Sequence, residues 1–356
     1  MATLFGQALS RASLLKRTGH LRQVAGIRFS ELIEGREAGV RIADVRTGSG
    51  LRFQVTLDRG MDISAAEYKG MPLAWRSAGG DAHPSYFIPE GLGWLRTFPG
   101  GLLTGCGMTY LGAPCRDGDE DLGLHGRLSH LPAEGVGAAE SWEGDECTFS
   151  LSGRVREWSP FRENLLLERT YRVSLGESRI TIDDRVKNEG TERSPLMMLY
   201  HINPGWPLVD EGSRLLLNAR STVPRDAEAE KGVAEATRFS APQPGYREQV
   251  FFHDLIADAE GYACVLLLNP RLQVGLYVRY RQRELPRYIE WKMMGEGTYV
   301  TGMEPANCSV MGRAAERAAG TLRFLDPGEE QRFSLEIGVL EGLELIGKFV
   351  GSHNLR

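Results

Sequence analysis

Apolar and polar residues alternate with a period of two over much of the chain beyond Gly39. Val40-Arg-Ile-Ala-Asp-Val45 and Leu51-Arg-Phe-Gln-Val-Thr-Leu57 show it first, and this is the pattern of strands with one face against a core. Gly48-Ser-Gly50 between them predicts a hairpin turn. Glu146–Leu151, Leu165–Val173, Ser178–Val186, Leu196–Ile202, Arg214–Leu217, Tyr262–Leu268, Gln273–Tyr280, Tyr288–Trp291 and Gln331–Val339 read the same way. Leu165 to Val186 is a hairpin around the polar turn Glu177-Ser178. So many strands with hardly a helix after the N-terminus predict an all-β, mostly antiparallel fold, packed as a large β-sandwich. The absence of a repeat at fixed period argues against a propeller.

Residues 1–24 stand apart. Ala8–Leu21 reads as a short amphipathic helix that packs Leu9, Leu14 and Leu15. No acidic residue precedes Glu31, and Arg11, Lys16, Arg17, Arg22 and Arg28 are basic, a bias shared with transit peptides. There is no apolar h-region and no small-residue cleavage site, so the helix is preferred and a secretory signal is unsupported. No low-complexity linker interrupts residues 25–356, and a single sandwich domain is expected there. Ala227–Gly245, rich in Ala, Glu, Gln and Pro, predicts a surface loop.

Composition narrows the function. Lys and Arg number 42 against 47 Asp and Glu, a net charge of −5. No basic excess exists to drive binding to nucleic acid or anionic membranes. No apolar run approaches the roughly 18 residues of a membrane helix. Five cysteines without a CxxC pair argue against a disulfide framework and a structural zinc site, and fit a reducing, cytoplasmic compartment. The 43 glycines, about 12% against an average near 7%, imply many turns and close backbone approaches.

The glycine-dense segments Gly91–Arg96 and Pro99–Gly107 match no nucleotide-binding signature. They read either as tight turns or as backbone close to a ligand, with Trp94 and Arg96 on its rim. His125 lies in Gly123-Leu-His-Gly126, and His201 ends an apolar strand before Asn203-Pro-Gly-Trp206. Both positions let an imidazole face a cleft at a sheet end. Glu304, in Gly302-Met-Glu-Pro305, sits in an apolar stretch whose desolvation suits a general base near neutral pH. Its alternative is a buried ion-pair partner, such as of Arg96. Glu290 and Glu296 are weaker candidates. His125, His201 and Glu304 form a conceivable zinc set, but no HxH or HExxH spacing supports it, and no metal or other cofactor is expected. No GxSxG elbow occurs. A His acid with a Glu base is the leading constellation.

Together these clusters resemble the aldose 1-epimerase, or galactose mutarotase-like, superfamily and specifically its DUF4432 branch. Leu124-His125-Gly126 is similar to that superfamily's LHG motif, Tyr200-His-Ile-Asn203 to its H-x-[YF]-N strand end, and Trp291-Lys292 with Gly302-Met-Glu304-Pro305 to its W-K…G-x-EP segment. The order holds from about residue 25 to the C-terminus. The resemblance implies a β-supersandwich with a sugar in an open cleft and no cofactor. It implies His201 as general acid and Glu304 as general base. Arg96, His125, Asn203 and Asp254 would bind substrate, and Trp94 or Trp206 would stack on a sugar face. Two departures bear on specificity: Arg96-Thr-Phe-Pro-Gly-Gly101 stands where an NRI segment is usual, and Pro204-Gly-Trp-Pro207 follows the Asn. The expected function is interconversion of sugar anomers by acid–base ring opening. The alternatives are a lyase or isomerase of an oxidised or acidic sugar, with Arg96, Arg127 or Arg162 holding the anion, and a non-catalytic carbohydrate-binding protein.

Overall fold

The computed structural model describes Met1 to Arg356. Its largest sheet has eight strands in the order Ala133–Glu143, Glu146–Trp158, Asn164–Ser174, Arg179–Asn188, Glu330–Glu341, Val274–Arg281, Tyr262–Asn269 and Arg214–Leu217. All neighbours in it pair antiparallel. The period-two pattern sets these strands. In Arg179–Asn188 every second residue, Ile180, Ile182, Asp184, Val186 and Asn188, is buried and the residues between are not.

A six-stranded antiparallel sheet runs Ala219–Pro224, Gln249–Leu255, Arg287–Met294, Tyr299–Ala306, Met197–His201 and Thr104–Met108. A five-stranded sheet, from Gly26–Glu31 to Met71–Pro72, completes the main architecture. One core of 62 buried residues joins all three sheets, with Phe53 and Val55 from the third, Leu151 and Ile182 from the first, and Met198, Tyr200 and Met303 from the second. The fold is the mostly antiparallel β-sandwich that the alternation predicts.

The six-stranded sheet presents its other face to a separate cluster. Met197, Leu199, Val250, Ile289 and Ala306 pack there with Trp94 and Phe98. Residues adjacent in sequence therefore divide between two environments, as the pleat requires. Beneath the sheet, buried Arg169 pairs with Asp184 at 2.7 Å, and the Tyr200 hydroxyl donates to Asp184 Oδ2 at 2.7 Å. This network anchors the residue before His201 to the eight-stranded sheet.

Several elements differ from the sequence expectation. The N-terminal segment is a hairpin, Ala2–Leu4 with Gln7–Leu9, followed by a helix of only five residues, Arg11–Leu15. Leu4 and Leu14 reach the main core, and the intervening Gly6 at φ 76° favours a turn over a longer helix. Ala227–Gly245 is partly ordered into the helix Ala227–Glu230, capped by Asp226, and buries Ala229, Ala236 and Phe239. A ten-residue helix, Leu343–Ser352, closes the chain. No helix is long and apolar enough to cross a membrane.

Candidate active site

Glu304 lies on Tyr299–Ala306 directly opposite Ile289, and Gly302 lies opposite Trp291. These residues share the face of the sheet turned away from the main core. Gly302 leaves the room that Glu304 occupies: a Cβ there would stand 2.2 Å from Glu304 Oε1. His201 ends the neighbouring strand, whose ladder contact with Tyr299–Ala306 is Leu199 opposite Ala306. Asn307 extends that contact by accepting the Met198 N–H at 2.7 Å and donating to the Leu196 carbonyl at 3.0 Å. His125 adopts φ 56°, a left-handed conformation that costs a non-glycine residue energy. Gly126 after it passes so close to Gly107 that a Cβ would meet the Gly107 Cα at 2.6 Å. The glycine-rich segment thus packs backbone on backbone and holds the His125 ring in place.

His125, His201 and Glu304 line one cleft of about 580 Å³ with Trp75, Trp94, Phe98 and Trp291. The rings interlock. Trp94 stacks on Phe98 with centroids 4.6 Å apart, and His201 stands between Phe98 and Trp291 at 5.5 Å from each. His201 Nε2 lies 3.2 Å from Glu304 Oε1. The angles of that contact leave Glu304 Oε1 without a hydrogen bond, and His125 Nδ1 and His201 Nδ1 are also buried and unpartnered. So many unsatisfied buried polar atoms in one place mark a site built for a polar ligand.

Burial dominates the electrostatics. It pushes the His201 imidazole down to about 3, with nearby His125 adding to the effect, and the His125 imidazole down to about 4. It raises the Glu304 carboxyl well above the usual carboxylate range, with the Glu248 charge adding to it. An isolated ion pair would shift both the other way. Burial prevails because the pair lacks the further hydrogen bonds that compensate buried charge. Burial therefore works against charge on both members of the pair. No three His, Cys, Asp or Glu side chains are grouped to hold a metal ion.

The family model for "Domain of unknown function (DUF4432)" matches residues 37–339. The chain belongs to the DUF4432 family. Solved structures resemble this DUF4432 protein over most of its length. A "putative aldose 1-epimerase" from Klebsiella pneumoniae shares 24% identity, covering 92% of this chain and 86% of that one, with a TM-score of 0.88. A galactose mutarotase-like protein from Clostridium acetobutylicum shares 13%, covering 90% and 99%, at 0.64. A galactose 1-epimerase from Lactobacillus acidophilus shares 13%, covering 89% and 99%, at 0.57. These likenesses show a galactose mutarotase-like fold. No curated protein sequence matches.

The DUF4432 chain brings His125, His201, Glu304 and Trp94 together, and places the other anticipated residues elsewhere. Arg96 is exposed on the short turn Gly93–Thr97 and does not line the cleft, because that turn spends its inward positions on Trp94 and Thr97. Asp254 is exposed and pairs with Arg220 at 3.2 Å, outside the cleft. Trp206 is 63% exposed and also lies outside it. Asn203 is fully buried and donates to the carbonyls of Gly101 and His201, at 3.1 and 2.8 Å. It braces the His201 backbone. Arg127 and Arg162 are engaged with Glu163 and Glu120 away from the cleft. Glu290 pairs with His253 at 3.0 Å on the opposite face of the sheet, with both side chains sealed from solvent. Arg225 and Glu248, which do line the cleft, were not visible as site residues: they flank the Ala-, Glu- and Pro-rich segment, and only tertiary folding aims them inward.

Proposed function

We propose that this protein interconverts the anomers of a sugar, with Glu304 and His201 as the acid–base pair. The observation that carries the reading is their contact at 3.2 Å within a cleft walled by tryptophans. The anomeric and ring oxygens of a cyclic sugar are bonded to one carbon, so two groups about 3 Å apart reach both by hydrogen bonds. The carboxylate with the imidazolium, and the carboxyl with the imidazole, contain the same protons. In the first form Glu304 takes the proton of the anomeric hydroxyl while His201 protonates the ring oxygen. The ring opens to the aldehyde and the pair is left neutral. Rotation about the first carbon–carbon bond and reclosure by the reverse transfers give the other anomer. Each transfer by a positioned group contributes typically 10²–10⁴-fold. Trp75, Trp94 and Trp291 provide the aromatic faces on which a sugar's C–H surface packs.

The test is anomer exchange measured by NMR alongside affinity. Glu304→Gln keeps the shape and removes the base, and His201→Asn removes the acid. Each is expected to lower exchange by at least about a hundredfold while sugar still binds, and the double variant to be scarcely worse than either alone. Full exchange in Glu304→Gln removes the assigned base. Binding without exchange above the spontaneous rate in the wild type establishes a carbohydrate-binding protein instead.

A further inference from the structure

Arg225 and Glu248 form the one pair of opposite charges lining the cleft, and Arg225 is its only Lys or Arg. Neither position is set by chance of a mobile side chain. Glu248 stands just before the strand Gln249–Leu255, two residues from Val250, so it continues the cleft-facing row of that strand. Arg225 follows the strand Ala219–Pro224 and is locked to the same neighbour, its backbone N–H donating to the Val250 carbonyl at 2.9 Å. Arg225 Nη2 donates to Glu248 Oε1 at 2.9 Å, and Trp291 Nε1 donates to Glu248 Oε2 at 2.9 Å. Arg225 Nε is held by Asp226 at 2.8 Å. Both Glu248 oxygens are therefore oriented, yet each has used only one of its acceptor directions. Arg225 Nη1 makes no hydrogen bond within the chain.

A carboxylate only accepts and a guanidinium only donates. Side by side, they suit a partner that does both at adjacent atoms, which is what neighbouring hydroxyls do. We propose that Glu248 and Arg225 read a pair of adjacent hydroxyls on the sugar, and that they select an uncharged sugar over a sugar acid or a sugar phosphate. The proposal rests on the reading of the cleft as a sugar site. A second observation points to the same ligand: His125 Nδ1 and Glu304 Oε1, buried and unpartnered, line the same cleft. Charge decides the selectivity. The lining charges of Arg225 and Glu248 cancel, and burial disfavours a positive charge on either histidine. An anionic sugar group finds no uncompensated cation, and meets a fixed carboxylate beside the only guanidinium. Like charges in such proximity are disfavoured, whereas hydroxyls donating to an ionised carboxylate make strong hydrogen bonds.

Saturation-transfer NMR and titration test this with glucose, galactose, mannose, xylose and fucose, and with glucuronate, galacturonate and glucose 6-phosphate. At least one neutral aldose is expected to bind, with its charged counterpart at least about tenfold weaker. Glu248→Gln keeps the size and loses the charge. It is expected to weaken the neutral sugar by about tenfold or more and to bring the charged one closer to it. Arg225→Gln is expected to weaken the neutral sugar too, with a thermal melt confirming that each variant is folded. A charged sugar that binds more tightly than its neutral parent overturns the proposal. So do unchanged affinities in Glu248→Gln, or no binding by any of the five neutral aldoses. Anomer exchange recorded in the same samples separates the two readings. Neutral-sugar preference without exchange leaves this proposal standing and removes the mutarotase. Exchange on a preferred sugar acid does the reverse.

Discussion

At the scale of single residues, burial sets what each titratable group does. His201 protonates only near 3, and Glu304 holds its proton well above the usual carboxylate range. The pair thus carries one transferable proton across the whole interval between. Exchange activity is expected to have its acid limb well below the ordinary imidazole value near 6.5, because burial lowers the His201 imidazole. A limb at 6.5 in kcat/KM contradicts the pairing. Glu157 shows the same physics without a role in the cleft. It is buried, accepts from the Thr109 hydroxyl at 2.6 Å, and has its carboxyl pushed up from 4.5 to about 7, chiefly by desolvation. Its folded value is above its unfolded one. The associated stability is present below about pH 4.5 and lost as pH rises to about 7, roughly 3 kcal/mol if burial is complete. Glu157→Gln is expected to gain on the wild type over that window, as read by urea melts at several pH values. A constant difference between the two proteins contradicts it.

At the scale of elements, the strands that were legible differ from those that build the site. Arg179–Asn188 and Glu146–Trp158 have one face in the core and one outside, so their alternation is written in the residue types. Tyr299–Ala306 and Met197–His201 are buried on both faces, and a strand covered on both sides has no polar face to alternate. Leu196–Ile202 was readable as an apolar run bounded by Pro195 and Asn203. The strand around Glu304 was not, because its Gly302 and Pro305 look like loop punctuation. The structure gives Gly302 another meaning, since it is the space for the carboxyl. Gly302→Ala is expected to displace Glu304 Oε1, the flexible end of a side chain, and so to lower exchange by about a hundredfold or more. The added Cβ also comes within 3.0 Å of Trp291 Cβ, so a thermal melt checks that the variant is folded. A variant with full activity shows that the carboxyl does not need this position.

At the scale of the whole molecule, the sheet order puts a strand from near the C-terminal end at the centre of the largest sheet. Glu330–Glu341 lies in the middle of the eight-stranded sheet, between Arg179–Asn188 and Val274–Arg281, with Ile180 opposite Ile337 and Val278 opposite the same residue. Leu343–Ser352, by contrast, lies outside the sheets and packs Ile346 and Phe349 around Tyr277. A chain ending at Gly328 is expected not to fold cooperatively, since it leaves two central strand edges unpaired. A chain ending at Gly342 is expected to keep the fold with lower stability. Near-UV circular dichroism and urea melts distinguish these, and a cooperative melt for the shorter chain refutes the first expectation.

The sequence alone determined the class of the fold, because period-two burial is a local property of strands with one wet face. It also singled out His125, His201 and Glu304, because each is a polar residue set in an apolar run beside glycine or proline and together they resemble a family's motifs, although Glu304 lies within a strand and not in a bend. Tertiary structure decided which charged residues join them. Arg96 was in the right neighbourhood of sequence and points to solvent, whereas Arg225 and Glu248, on either side of an unremarkable segment, meet in the cleft. Local pattern reports whether a residue is buried. Which other residue it faces depends on strand pairing between distant segments, and those pairings are chosen by the packing of the whole core.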